Sequence, residues 1–314
     1  MERRDFVTSA IAMAGAALSG EGRALAQASQ EFYQLRKYTL RNGNQLALTQ
    51  SYFEHALIPA LNRMSMNPVG AFKLDIGPET PTYYLLIPAT SVEALATLDQ
   101  RLAQDPEFLK ASTAFWDAPA ATPAFERVEI SLLSAFAGWP KLVAPKTEKR
   151  IFQLRTYESS GHAAHMRKVQ MFNQAEIGIF TRTGLAPVFF GDVLAGPRMP
   201  SLTYMLTFED VADLNKKWAV FASDPAWKDL SHRPGNTDAE IVSNISNFYL
   251  SPLSFSQRES SGCCAKSPLK PRKRSFIPAV NARYRSGFSS HFSLRSSVGL
   301  TGFKTTNRKL GAGI

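Results

Sequence analysis

The sequence predicts an α+β protein in which two copies of one unit, with the element order β-α-β-β-α-β, follow each other in a single chain. Three observations predict this: a repeat with a constant spacing of 119 residues, the same order of elements in each copy, and strands in which apolar and polar residues alternate. The chain has 314 residues, of which 44% are hydrophobic. This composition suits a globular protein and excludes a fibrous one.

The repeat is clearest at the first strand of each copy. Residues 32–38 read FYQLRKY and residues 151–157 read IFQLRTY. The same spacing pairs Asp105-Pro106 with Asp224-Pro225. Aspartate followed by proline is typical of a helix start, because the aspartate caps the helix and proline at the first position loses no needed donor. The constant spacing therefore indicates a duplication.

The predicted elements follow the same order in the two copies. In the first copy they are a strand, a helix, two strands, a helix and a last strand, at 33–38, 46–64, 68–75, 82–87, 91–104 and 127–136. In the second copy they lie at 151–157, 162–182, 186–193, 202–208, 209–222 and 242–250. A short helical turn follows each Asp-Pro pair. This is the order of the ferredoxin-like fold, whose sheet carries helices on one face. Two such sheets can pack their bare faces together and close a barrel.

The two ends of the chain differ from this body. Paired arginines at 3–4, an Ala-rich stretch and Ala-Leu-Ala at 24–26 are typical of a twin-arginine signal, which predicts a periplasmic or secreted protein. Residues 258–314 hold twelve Lys or Arg and one acid, so the net charge of +10 comes from this end. We expect a disordered tail there, without specific nucleic-acid binding. No apolar run approaches the roughly 18 residues of a membrane span.

These patterns divide the chain into five segments. They are a signal peptide at 1–26, a first α+β copy at 30–137, a linker at 138–148, a second copy at 149–255 and the basic tail at 256–314. The first four segments carry no cysteine, so an oxidising compartment would not affect them.

Several segments resemble the NIPSNAP family. They are the first strands with the pattern QLRxY, the strand GLAPVFFG at 184–191, the strand SLTYML at 201–206 and the turn DPAW at 224–227. The second copy matches better, since the first has Phe108 in place of Trp227. The resemblance implies a dimeric α+β barrel, here made by two copies within one chain. That class includes small monooxygenases and heme-degrading enzymes, but a fold alone does not determine a function.

The first strands supply the candidate ligand-binding residues. Because alternate residues of a strand share a face, Arg36 and Tyr38 lie together, as do Arg155 and Tyr157. We expect this polar face to point into the space between the copies, where a buried arginine needs a partner or an anion. The alternative is a structural network in which each arginine pairs with an internal acid or a tyrosine.

His165 is a further candidate. His162 and His165 lie one helical turn apart, but a shared metal would need further ligands, so no metal site is predicted. His165 acting alone could ligate a heme or move a proton. Otherwise no cofactor is expected. Phosphate-binding loops, nucleophile elbows and paired-cysteine motifs are lacking in the sequence, which gives no support to a hydrolase or a nucleotide-dependent enzyme.

Our hypothesis is an exported protein that binds a small molecule between its two copies, with cofactor-poor oxidative chemistry like that of the monooxygenases in this class. The alternative is a non-catalytic binding or scaffold module of the same fold. Nucleic-acid binding through the tail would instead show salt-dependent affinity that is lost with residues 258–314. Association into a homo-oligomer is left open.

Overall fold

A closed barrel of eight strands forms the centre of the protein. The computed structural model describes residues 30–145 and 150–257. The predicted signal peptide and the tail from residue 258 onward lie outside the described residues. Within the described ranges, no helix is both long and apolar enough to cross a membrane.

The first repeat contains the predicted elements in the predicted order. They are β1 (Phe32–Thr39), α1 (Asn44–Tyr52), a π-helical turn (Phe53–Leu57), α2 (Ile58–Arg63), β2 (Gly70–Ile76), β3 (Thr82–Ala89), α3 (Val92–Ala96), α4 (Leu98–Leu102), α5 (Pro106–Trp116) and β4 (Arg127–Ala135). The helix predicted at 91–104 is divided into α3 and α4 at Thr97.

The second repeat copies this arrangement. Its elements are β5 (Ile151–Glu158), α6 (His162–Met171), a π-helical turn (Phe172–Glu176), α7 (Ile177–Arg182), β6 (Ala186–Ala195), β7 (Ser201–Phe208), α8 (Val211–Ser223), α9 (Pro225–His232), α10 (Asp238–Ile241) and β8 (Asn244–Pro252). The short helix α10 was not predicted. The two π-helical turns begin 119 residues apart, so the repeat spacing holds through the first helix of each copy.

The strand order shows how two sheets become one barrel. It runs β1-β3-β2-β8-β5-β7-β6-β4 and closes on itself. Each repeat contributes four adjacent strands, and the repeats join where β2 pairs with β8 and where β4 pairs with β6. All neighbouring strands are antiparallel. The predicted α+β fold, with two tandem ferredoxin-like units forming a dimeric α+β barrel within one chain, is confirmed.

Helix starts follow the predicted Asp-Pro signals. The Asp105 side chain accepts hydrogen bonds from the backbone amides of Glu107 and Phe108 at the start of α5. The Asp224 side chain accepts them from Ala226 and Trp227 at the start of α9. These bonds satisfy amides that have no partner inside the helix.

Three apolar cores hold the fold together. One lies between the helices and the sheet of the first repeat and a second lies at the same place in the second repeat. The third fills the barrel with residues of both repeats, and Phe72 packs edge-on against Phe152 there with ring centroids 4.8 Å apart. Burial of this apolar surface provides the main driving force for closing the barrel.

The chain after β8 still belongs to the barrel. The amide of Leu253 donates to the carbonyl of Ala71 at 2.9 Å, and the amide of Gln257 donates to that of Val69 at 3.0 Å. Ser256 and Gln257, which the sequence analysis assigned to the tail, therefore extend the contact with β2.

Candidate functional site

The polar residues of the first strands face the helices, so the predicted orientation towards the space between the repeats is wrong. Gln34 donates from Nε2 to the carbonyl of Leu95 in α3 at 2.8 Å. Tyr33, on the opposite face of β1, packs against Phe189 of the other repeat, with ring centroids 5.3 Å apart. The polar side chains find hydrogen-bond acceptors under the helices, whereas the barrel interior is lined by apolar side chains.

Arg36 belongs to an internal ion pair in the first repeat. Its Nη2 donates to Asp99 Oδ1 of α4 at 2.8 Å, and its Nε donates to Gln34 Oε1. The residue is only 3% exposed. Burial lowers the pKa of Arg36, but Tyr38 and Asp99 raise it more, so the net shift is upward. For Arg36 and Tyr38 the contacts therefore match the structural alternative.

Arg155 occupies the same position in the second repeat but has different partners. Its Nη2 donates to the hydroxyl of Tyr157 at 3.0 Å, and that hydroxyl lies 3.0 Å from the hydroxyl of Tyr204. The guanidinium carbon lies 4.9 Å from the centre of the Trp218 ring. The Nε atom is enclosed and has no hydrogen-bond partner. Burial lowers the pKa of Arg155, while Tyr204 and Tyr157 raise it to a net upward shift.

A buried ion pair that the sequence analysis did not identify lies beside Tyr157. Lys168 Nζ is 3.3 Å from Glu176 Oε2, and the two side chains are 1% and 2% exposed. Burial raises the pKa of Glu176, and the opposing charge of Lys168 reduces that rise. The Lys168 ammonium also lies 5.1 Å from the ring centre of Phe172 and 5.7 Å from that of Trp227. Rings at these distances stabilise a cation.

His165 pairs with an acid of the neighbouring strand. Its Nε2 lies 2.7 Å from Asp192 Oδ1, and the residue is 6% exposed. Its Nδ1 is enclosed without a partner, while His162 is exposed. Because Asp192 engages Nε2 and Nδ1 is enclosed, neither ring nitrogen of His165 is open to a heme iron, and this arrangement does not suit that cofactor. Among residues 30–145 and 150–257, no group of three or more metal-ligating side chains could hold a metal ion.

A cavity of about 170 Å³ opens at one end of the barrel, between the two repeats. Phe72 and Leu86 line it from the first repeat, and Phe152 and Val188 line it from the second. Other lining residues come from the linker and from the segment after β8; they include Leu142, Ala144, Pro145, Leu253, Ser256 and Gln257. Among the described residues, none of the lining side chains is charged, so this part of the cavity wall suits an apolar guest. A smaller space of about 70 Å³ at the opposite end contains Lys37, Glu129 and Arg198.

The NIPSNAP family model matches the sequence twice, at residues 33–120 and 152–257. The chain belongs to the NIPSNAP family. The two matches coincide with the two repeats, so one chain holds two NIPSNAP domains and builds the barrel from both. None of the curated proteins matches the sequence.

Solved structures with similar folds include other NIPSNAP proteins. A NIPSNAP-like domain protein from Burkholderia xenovorans is 20% identical and covers 35% of this chain and 91% of its own, with a TM-score of 0.31. A Lactobacillus acidophilus protein with a provisional monooxygenase assignment is 8% identical and covers 71% of this chain and 94% of its own, with a TM-score of 0.48. An anthrone oxidase-like protein is 8% identical and covers 72% and 93%, with a TM-score of 0.44.

Proposed function

We propose that this NIPSNAP protein binds a small apolar or aromatic molecule between its two repeats. The observation that carries the proposal is the cavity at the barrel end, which both repeats and the linker line with uncharged side chains. Its volume of about 170 Å³ is close to that of an apolar protein cavity of about 150 Å³ that binds benzene. A guest with one ring or two small fused rings therefore matches the space.

The lining of the cavity favours binding without catalysis. General acid or base catalysis needs a titratable side chain within hydrogen-bond reach of the substrate, and the lining residues that the structure describes have none. This supports the non-catalytic alternative for the cavity. Cofactor-poor oxidative chemistry stays a prediction, to be measured as oxygen consumption in the presence of a bound compound. Export also stays a prediction, to be checked by the mass of the protein isolated from the periplasm.

The proposal is tested by filling the cavity. We expect Val188→Phe to abolish the binding of indole, because the phenyl ring occupies the space that the guest needs. Val193→Phe is the matched control, since Val193 lies on the same strand and also points into the barrel, but lines the smaller space at the opposite end. Isothermal titration calorimetry measures the affinity, and thermal unfolding confirms that the variants fold.

Two results would contradict this function. One is wild-type protein that does not bind indole or a comparable single-ring compound such as toluene. The other is equal loss of binding in Val188→Phe and Val193→Phe, which would place the guest elsewhere or indicate a general effect on the barrel.

A further inference from the structure

The two repeats contain the same arginine in the same place, but within residues 30–145 and 150–257 only one of the two has an acidic partner. Arg36 and Arg155 are separated by the repeat spacing of 119 residues and lie on the helix-covered face of β1 and β5. We propose that Arg155 binds the carboxylate of a small-molecule ligand, at a site separate from the cavity between the repeats.

The first repeat shows which group satisfies this arginine. The Nη2 of Arg36 donates to the carboxylate of Asp99, and its Nε donates to the side-chain oxygen of Gln34. Both acceptors come from the same repeat, so the charge of Arg36 is balanced inside the protein. An enclosed guanidinium with a carboxylate and an amide oxygen is a satisfied arrangement.

The second repeat lacks both of these acceptors. The position of Asp99 is taken by Trp218, whose ring lies against the guanidinium of Arg155. The indole nitrogen of Trp218 donates to Gln153 Oε1 at 2.7 Å, so this oxygen is drawn away from the arginine. Gln153 in turn donates to Asn247 at 2.9 Å. Trp218, in place of an aspartate, thus removes the carboxylate from this position. Through its hydrogen bond to Gln153 it also makes the amide oxygen unavailable to Arg155.

Among the described residues, Arg155 is left with one side-chain hydrogen bond and an enclosed, unpartnered Nε. The single bond goes to the hydroxyl of Tyr157, which carries no charge at neutral pH. In the described part of the chain, Arg155 forms no ion pair with an acid, because the nearby Glu176 is engaged by Lys168 at 3.3 Å. A half-buried positive charge without a counter-ion is unfavourable, so an external anion would be stabilised there.

Access and chemistry both favour a ligand at this position. Arg155 is partly exposed, whereas Arg36 is enclosed, so only the second arginine can be reached from solvent. The ligand group is assigned as a carboxylate because the carboxylate of Asp99 fills the equivalent position in the first repeat. A guanidinium also donates charge-assisted hydrogen bonds to carboxylate oxygens.

The proposal is tested with benzoate as the probe and benzyl alcohol as its uncharged counterpart. Titrations are run on the wild-type protein and on Val188→Phe, so that binding of the ring in the barrel cavity does not contribute. We expect benzoate to bind both proteins, and benzyl alcohol to bind Val188→Phe at least about tenfold more weakly. Quenching of tryptophan fluorescence, to which Trp218 beside Arg155 contributes, provides a second readout.

Three variants define the outcome. Arg155→Gln removes the charge and is expected to weaken benzoate binding at least about tenfold. Trp218→Asp supplies an internal carboxylate like Asp99, so we expect the same loss of benzoate binding. Arg36→Gln is the matched control and is expected to leave benzoate binding unchanged.

The proposal is overturned by any of three results. They are Val188→Phe protein that does not bind benzoate, unchanged benzoate affinity when Arg155→Gln is added to Val188→Phe, and unchanged benzoate affinity when Trp218→Asp is added to it. Because Arg155→Gln removes the cation and Trp218→Asp supplies an internal anion for it, a folding defect in one variant leaves the other to decide. Loss of indole binding in Val188→Phe with retained benzoate binding would show that the two sites are independent.

Discussion

Removing one member of the Lys168–Glu176 pair is expected to destabilise the protein far more than removing both. Lys168→Met leaves a buried carboxylate without its cation. Glu176→Leu leaves a buried ammonium whose remaining acid, the exposed Asp238, lies 3.9 Å away. The double variant has an apolar pair that can pack among the surrounding rings. The first repeat supports this, because it has Thr49 and Leu57 at the two equivalent positions and folds in the same way.

The magnitude follows from the geometry. Two unit charges 3.3 Å apart interact by about 5 kcal/mol at an effective dielectric constant of about 20. Desolvation of both groups offsets much of this attraction, so the intact pair contributes little net stability. Loss of one partner costs about 3–5 kcal/mol, whereas replacing both by apolar residues is neutral or stabilises by about 1–4 kcal/mol. The coupling energy in a double-mutant cycle is therefore expected to be several kcal/mol.

The dependence on pH provides a second measurement. Burial raises the pKa of Glu176 in the folded state, so the folded protein holds this proton more tightly than the unfolded chain. Stability is then highest below the unfolded pKa of about 4.3 and falls as pH rises towards the raised folded pKa. Without Lys168 the pKa of Glu176 rises further. The free energy of unfolding then keeps falling up to a higher pH, by about 1.4 kcal/mol per pH unit. Lys168→Met is therefore expected to lose more stability at pH 8 than at pH 5.

Urea unfolding followed by tryptophan fluorescence measures these free energies. A loss in the double variant equal to the sum of the two single losses would contradict the coupling, because the two charges would then act independently. An equal loss in Lys168→Met at pH 5 and pH 8 would contradict the effect expected of a buried, unpaired Glu176.

Two further substitutions test the packing. His165→Leu introduces the residue found at the equivalent position of the first repeat and removes an enclosed, unpartnered nitrogen. The free energy of unfolding is therefore expected to stay the same or rise. A loss above about 2 kcal/mol would show that the pair with Asp192 stabilises the fold. Gly70→Ala would place a methyl group 2.6 Å from Cε2 of Phe72, so we expect a loss of about 1–3 kcal/mol in thermal unfolding. Its control is Gly178→Ala in α7, where nothing lies within 4 Å and a helical alanine is expected to stabilise by about 0.5–1 kcal/mol.

Much of the fold can be predicted from the sequence because each element occurs twice, so that the pattern in one copy supports the assignment in the other. Two copies with one spacing confirm each strand twice, and strands such as β3 and β7 begin at Thr82 and Ser201, 119 residues apart. The division of the second helix of the first repeat at Thr97 leaves no comparable signal, since the residues on both sides are ordinary helix formers.

The main wrong prediction was that the polar face of the first strands points into the space between the repeats. Alternation separates Arg36 and Tyr38 from Tyr33 and Leu35, but it does not say which face meets the other repeat. The deciding partner is Asp99, which lies 63 residues further along the chain and becomes visible only when α4 is placed over the sheet. Lys168 and Glu176 were missed for a related reason, because each alone is an ordinary helix residue. A position-by-position comparison of the repeats would have marked them, since Thr49 and Leu57 show that the fold does not require a charge there.

The π-helical turn at Phe172–Glu176 has a consequence for insertions and deletions in this helix. A π turn holds one residue more than an α turn, so the eight positions from Lys168 to Glu176 advance around the axis about as far as seven in a regular helix. Seven positions are two full turns, which places both side chains on one stripe. Deleting a single residue within the turn would give a regular α turn with the two residues seven positions apart, so Lys168 and Glu176 would keep their common stripe. The same turn lies at Phe53–Leu57, so a matching deletion there would keep Thr49 and Leu57 on one stripe in the same way.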